Sequence, residues 1–149
     1  MLLVHATSVL LDGIGVLIRG PSGSGKSDLA LRLIDGGAKL VADDQTVLEA
    51  QGGEISAHAP PSIAGKLEVR GLGIVGVPWV ASARLGLVVD LVPPARIDRL
   101  PEAATLTLLG VILPRLDLSP FEASAPAKLR LAVATRNAAI ISPATAHSS

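Results

Sequence analysis

Apolar residues along the chain cluster in short runs separated by glycine-rich turns, a pattern typical of a sheet-rich fold. The first two runs, residues 2–11 and 14–19, flank Asp12-Gly13. They predict a β-hairpin, because glycine tolerates the positive φ of a tight turn. After a glycine-rich loop, the apolar positions of Lys26–Asp35 predict a buried helix ended by two glycines. The predicted order is therefore strand, strand, loop, helix.

The remaining pattern predicts further strands and a second helix. Residues 39–42 form a short apolar run ending at Asp43-Asp44, and we expect it to return as a strand beside the one that leads into the loop. Residues 46–49 and 54–58 flank a second glycine turn, whereas 63–76 is too glycine-rich to assign. Later runs predict strands at 85–92, 105–109 and 111–116 and an amphipathic helix at 126–137. Together these elements predict an α/β fold with a mixed sheet flanked by helices.

Composition fits one such domain spanning residues 1–149. The chain is 49% hydrophobic and 17% charged, and only Trp79 and Phe121 are aromatic, so the core must be aliphatic. Thirteen basic and thirteen acidic residues cancel, which argues against nucleic acid or an anionic membrane as a partner. The absence of cysteine excludes disulfides and fits a cytoplasmic location. No apolar run approaches the roughly 20 residues of a membrane helix. We expect the last few residues of the chain to be disordered.

The glycine-rich loop fits the phosphate-binding pattern G-x-x-x-x-G-K-[ST] in full. Its glycines let successive N–H groups converge on phosphate oxygens, and the helix that follows adds its positive end. We expect the lysine to reach the β- and γ-phosphates of ATP and the last serine to bind Mg²⁺. The predicted nucleotide-binding residues are Gly20, Pro21, Ser22, Gly23, Ser24, Gly25, Lys26 and Ser27.

Carboxylates decide what such a loop does, because the loop alone does not separate kinases from other nucleotide-binding proteins. Asp43 and Asp44 end a strand expected near the loop, where one could hold Mg²⁺ and one could accept a proton. Asp90, at the end of another apolar run, is the alternative. The alternative is that these aspartates have only a structural role, in a turn or a helix cap. Residues 71–76 also fit G-x-G-x-x-G, but Pro78 follows where a dinucleotide fold needs a helix.

These motifs together resemble the catalytic domain of HPr kinase/phosphorylase, a bacterial enzyme that phosphorylates a serine of the phosphocarrier protein HPr. His5 precedes the loop as the family's histidine does, and Val41-Ala42-Asp43-Asp44 matches its ADD segment. The most specific match is residues 68–74, Glu-Val-Arg-Gly-Leu-Gly-Ile, which fit the signature E-[IV]-R-G-L-G-I. The resemblance implies a fold similar to the nucleotide-binding core that this family shares with phosphoenolpyruvate carboxykinase.

The resemblance also implies roles for single residues. Asp44 would accept the serine proton, Ser27 and Glu68 would bind Mg²⁺ together with the neighbouring Asp43, and the other active-site groups would be His5, Lys26 and Arg99. HPr would be the partner, and the family is commonly hexameric. The chain resembles a compact form without the family's N-terminal domain.

Two departures concern the reverse reaction. A short segment, residues 78–84, stands where the family has a long flexible loop, and its P-x-K-x-G-R pattern is reduced to residues 126–130. The phosphorylase activity is therefore put in doubt more than the kinase activity. A small-molecule kinase and a nucleotide sensor without transfer remain the alternatives.

Overall fold

The computed structural model describes residues 1–135, and in that range it contains eleven strands and two α-helices. The strands are β1 (Leu2–Val4), β2 (Ala6–Leu11), β3 (Ile14–Arg19), β4 (Lys39–Ala42), β5 (Thr46–Gln51), β6 (Glu54–His58), β7 (Lys66–Val69), β8 (Gly73–Gly76), β9 (Ala83–Leu91), β10 (Ala104–Leu108) and β11 (Val111–Leu118). The helices are α1 (Lys26–Asp35) and α2 (Ala125–Thr135). Both predicted helices are therefore confirmed, although positions 136 and 137 and the end predicted to be disordered lie outside the described residues.

The main sheet is mixed, as predicted. Its strands follow the order β1-β5-β6-β9-β3-β2-β4, and β11 joins β9 and carries β10 on its other side. Strand β9 runs parallel to both β3 and β11, whereas β2 is antiparallel to β3 and to β4. The carboxyl ends of β3, β9 and β11 consequently meet at one edge, where the glycine-rich loop begins.

Two sequence predictions about this sheet are wrong. Residues 2–11 form two strands, because the chain bends at His5 and β1 leaves to pair with β5. Strand β4 does not lie beside β3, because the hairpin partner β2 already occupies that side of β3 and β4 pairs with β2 instead. The unassigned stretch 63–76 contains a separate hairpin, β7–β8.

Both helices cover the same face of the sheet, so the prediction of a sheet flanked by helices holds for one face only. Leu29 and Leu33 of α1 and Leu129 of α2 are fully buried in a core with residues of β2, β3 and β9. The opposite face forms a second core whose buried residues come from strands, including Leu17, Leu48 and Ile55. The sheet thus curls to cover itself.

Burial of α1 positions the loop before it. Full burial of each leucine stabilises the fold by about 1.5–3 kcal/mol relative to exposure, and α1 buries two of them against the sheet. The N-terminus of α1 is consequently held beside the end of β3. Neither helix in the described part of the chain has the length and apolar character that crossing a bilayer requires.

Candidate active site

The glycine-rich loop joins the end of β3 to the start of α1. A turn closes it, in which the Ser24 N–H donates to the Pro21 carbonyl at 3.0 Å. Gly23 and Gly25 have φ values of +80° and +101°, which other residues rarely adopt. The Gly25 carbonyl accepts the Leu29 N–H at 2.9 Å, the first bond of α1. The N–H groups of Lys26, Ser27 and Asp28 precede this first intrahelical bond, and such groups give the start of a helix its positive character.

Lys26 lies folded across the beginning of the loop. Its side chain is nearly buried, with 6% of the residue exposed. The Nζ atom donates to the Gly20 carbonyl at 2.8 Å and to the Pro21 carbonyl at 3.1 Å. The ammonium group is thus fixed at the mouth of the loop by two neutral acceptors.

Asp43 follows β4 and ties the loop to two other segments. Its Oδ1 accepts the Ser27 hydroxyl at 2.7 Å and the Thr7 hydroxyl at 3.1 Å. Its Oδ2 accepts the backbone N–H of Glu68 at 3.0 Å. The residue is 8% exposed, and both carboxylate oxygens are engaged. Asp43 therefore holds α1, β2 and β7 in fixed positions relative to one another.

Asp44 has the opposite environment, although it is the next residue. Its φ is +67°, an uncommon conformation for a residue with a side chain. The backbone N–H donates to the Thr7 hydroxyl at 3.1 Å. The carboxylate Oδ1 lies 2.5 Å from His5 Nε2, and the His5 and Asp44 side chains are 50% and 59% exposed. A polar contact this exposed adds little stability, so it chiefly orients an accessible carboxylate.

Thr7 was missed by the sequence analysis. It is fully buried on β2, and its hydroxyl contacts Asp43 and Asp44 at once. The available signal was its position two residues after His5, the spacing at which side chains along an extended chain share a face. The structure therefore adds a second polar residue from the start of the chain, Thr7 beside His5, to the site.

Glu68, a predicted metal ligand, reaches the cluster through its backbone. The residue is exposed, and its carboxylate makes no hydrogen bond or ion pair within residues 1–135. In that same range no group of three or more His, Cys, Asp and Glu side chains is gathered as a metal site. The side-chain oxygens that lie together beside the loop are thus those of Ser27 and Asp43.

Asp90, the alternative carboxylate, belongs to an ion-pair network at the end of β9. Arg19 donates to its two oxygens at 2.7 and 2.9 Å, and Arg115 donates to Oδ2 at 3.2 Å. Burial alone would raise the pKa of Asp90, but the hydrogen bonds and charges of both arginines outweigh it and hold that pKa below its usual value. The hydrogen bond to Asp90 also raises the pKa of Arg19. Both oxygens of Asp90 are therefore bonded to arginines, and Asp90 does not join the Asp43-Asp44 cluster.

Two cavities lie on this side of the sheet. One of about 800 Å³ opens beside Gly20, with the Arg19 and Asp90 pair in its wall. The other, of about 620 Å³, lies among residues 97–101, the end of β11 and α2, and it is lined by Arg99. Arg99 is exposed and has no hydrogen bond or ion pair to the loop within the described chain. Its predicted catalytic role stays a prediction.

Comparison with known proteins finds matches to one protein family. A family model described as HPr Serine kinase C-terminal domain matches residues 2–137, nearly the whole chain. The chain belongs to this family. A solved structure titled as the Hpr(Ser) kinase/phosphatase from Coxiella burnetii superposes with a TM-score of 0.83 at 28% identity, covering 93% of this chain and 97% of that one. The mixed α/β fold of this HPr kinase family is thereby confirmed.

Curated relatives carry the name HPr kinase/phosphorylase. The protein from Geobacillus thermodenitrificans is 39% identical over 127 residues, which are 77% of this chain and 41% of the relative. The one from Bordetella petrii is 40% identical over 120 residues, or 72% and 39% of the two chains. This chain thus spans about two-fifths of the length of these relatives.

Proposed function

We propose that this chain binds Mg-ATP and transfers the γ-phosphate to a serine hydroxyl of HPr or a closely related phosphocarrier protein. Family membership supports the reaction, and the names of the curated relatives support the acceptor. The observation that carries the proposal is the accessible carboxylate of Asp44. It lies next in sequence to Asp43, which is hydrogen-bonded to Ser27 at the end of the phosphate-binding motif. The two alternatives, a small-molecule kinase and a nucleotide sensor without transfer, are not favoured by these relatives.

The loop fits a triphosphate in shape and charge. Gly23 and Gly25 adopt conformations that keep side chains out of the cradle, and the N-terminus of α1 adds a positive field. Lys26 is already at the mouth of the loop, where it would exchange two carbonyl oxygens for phosphate oxygens. This geometry supports a P-loop nucleotide-binding core of the kind shared with phosphoenolpyruvate carboxykinase.

The residues beside the loop also fit Mg²⁺. The Ser27 hydroxyl and the Asp43 carboxylate are oxygen donors of the kind the ion prefers, and they lie 2.7 Å apart. Glu68 would supply a further oxygen, since its backbone is bonded to Asp43. The bound ion would neutralise charge on the phosphates.

Proton transfer falls to Asp44. The carboxylate of Asp43 is buried and saturated with three donors, whereas that of Asp44 is open and oriented by His5. The serine O–H bond would break, with its proton moving to Asp44. The serine oxygen would bond to the γ-phosphorus while the bond from that phosphorus to ADP breaks. Lys26 and, by the family resemblance, Arg99 would stabilise the charge on the transferred group.

The partner, the cellular location and the oligomeric state are part of the same proposal. HPr is the expected partner, the cytoplasm is the expected location, and a homo-oligomer up to the hexamer is the expected assembly. The proposal concerns the forward reaction, because the reduced pattern at residues 126–130 weakens the case for the reverse one.

The deciding experiment mixes the protein with Mg-ATP and purified HPr and measures the mass of HPr. We expect one added phosphoryl group on a serine. Unmodified HPr, with ATP binding intact, would overturn the proposed transfer.

A matched pair of variants tests the role of Asp44. Asp44→Asn should abolish transfer while ATP binding persists, because the amide cannot accept the proton. Asp35→Asn, which removes an exposed carboxylate at the far end of α1, serves as the control and should retain transfer. Equal rates for the two variants would show that Asp44 is not the base.

A further inference from the structure

Phe121 lies against the phosphate loop beside Gly25. It follows β11, and a Cβ atom added to Gly25 would stand only 2.9 Å from the ring carbon Cζ. Pro120 approaches the same point. Yet 70% of Phe121 is exposed, although it is one of only two aromatic residues in the chain. The ring thus borders the loop and presents most of its surface to solvent.

The backbone around Phe121 is fixed to α1 through Arg32 in the last turn of that helix. Arg32 donates to the carbonyl of Pro120 and, at 3.4 Å, to that of Glu122. Arg32 is itself held by an ion pair with Asp28 on the same helix. Single exposed apolar side chains are common on protein surfaces. The position of this ring, on a fixed segment beside Gly25, is what makes it accessible to a ligand bound in the loop.

The sheet places this ring where the far end of a nucleotide would lie. Strand β3 leads into the loop, with β2 and β4 on one side and β9 and β11 on the other. Asp43 and Ser27, the groups proposed for Mg²⁺, belong to the β4 side. The γ-phosphate and the base are at opposite ends of an extended nucleotide. With the γ-phosphate toward Asp43, the nucleoside extends toward the β11 side, where Phe121 lies.

We propose that Phe121 is the platform on which the base of the donor nucleotide stacks. The inference rests on the proposed function, and it adds the part of the site that recognises the nucleoside rather than the phosphates. Stacking uses the ring face and no hydrogen bond to the base edge, so it accepts any purine. Adenine and guanine nucleotides should therefore bind with similar affinity.

The test compares two ligands that share the phosphates but not the base, Mg-ATP and Mg-tripolyphosphate, by isothermal titration calorimetry. In Phe121→Leu, which keeps an apolar contact with Gly25 but removes the π-face, ATP affinity should fall by about fivefold to a hundredfold. Tripolyphosphate affinity should not change. Phe121→Tyr should retain ATP binding. Ile112→Ala, an exposed apolar residue on the same strand-and-loop segment, is the control and should bind both ligands normally.

The outcomes separate this inference from the proposed function. Equal losses for both ligands would show that Phe121 only shapes the loop, and no loss for either would show that it does not touch the nucleotide; each result overturns the inference. Absence of ATP binding to the unmodified protein would overturn the proposed function and the inference with it. Thermal unfolding of each variant confirms that the comparison concerns folded protein.

Discussion

Replacing Thr7 by valine tests whether a buried hydroxyl positions the two carboxylates. Valine has nearly the same shape, so the change removes two hydrogen bonds and leaves no large cavity. The lost bond to the charged Asp43 costs about 1.5–3 kcal/mol. The methyl group gained in the core returns about 0.8 kcal/mol, and the Asp44 N–H, on an exposed residue, can turn to water. We therefore expect a net destabilisation of about 1–2 kcal/mol.

Thr7→Ser is the matched control, because it keeps the hydroxyl and loses a buried methyl group. That loss costs about 1 kcal/mol, so the two variants should be destabilised to a similar extent. For a domain of this size each kcal/mol lowers the melting temperature by about 2–4 °C. Both variants should thus melt a few degrees below the unmodified protein, as measured by circular dichroism.

Phosphoryl transfer should separate the two variants. Without Thr7 the uncommon φ of Asp44 is held by fewer contacts, and losing about 1.4 kcal/mol of that preference lowers the reactive population about tenfold. We expect kcat for HPr phosphorylation to fall about tenfold in Thr7→Val and to stay within about twofold in Thr7→Ser. Equal activity in both variants, at equal stability, would refute a positioning role for the hydroxyl.

Three further predictions concern the loop and its surroundings. Asp90→Asn should lower the urea midpoint more at pH 7 than near pH 3, because the pKa of Asp90 is depressed in the folded state. The stabilisation that Arg19 and Arg115 give to the Asp90 carboxylate is present above the unfolded pKa of about 3.9. It is lost as the pH falls through the lower, folded-state pKa. An equal effect of the substitution at both pH values would contradict this. Gly25→Ala should cost about 1–3 kcal/mol in thermal unfolding, since φ is +101° and Phe121 occupies the space of a side chain; an unchanged melting temperature would argue against that strain. Ser27→Ala should remove the gain in ATP affinity that Mg²⁺ provides, measured by titration with and without the ion, and a retained gain would exclude Ser27 as a ligand.

Local sequence patterns predicted the helices, strands and turns of this fold better than they predicted which strands pair with each other. The helix Lys26–Asp35 and both glycine turns were predictable, because apolar spacing and glycine conformation are properties of a short segment. The position of β4 was not, because it depends on β2 already pairing with β3. The same limit applies to the site. The loop and Asp43-Asp44 carry a sequence signal, whereas the contact of Phe121 with Gly25 joins positions far apart in the chain.

The pair Asp43-Asp44 illustrates why a motif alone does not assign roles. Two identical side chains stand next to each other in sequence, and nothing in their chemistry distinguishes them. The left-handed backbone at Asp44 turns the second carboxylate away from the first, so that one faces the buried hydroxyls of Thr7 and Ser27 and the other faces His5 and solvent. A carboxylate saturated with donors is a poor proton acceptor, and an exposed one is a poor anchor. The role proposed for Asp44, proton acceptance, therefore requires an environment that differs from that of Asp43 one peptide bond away.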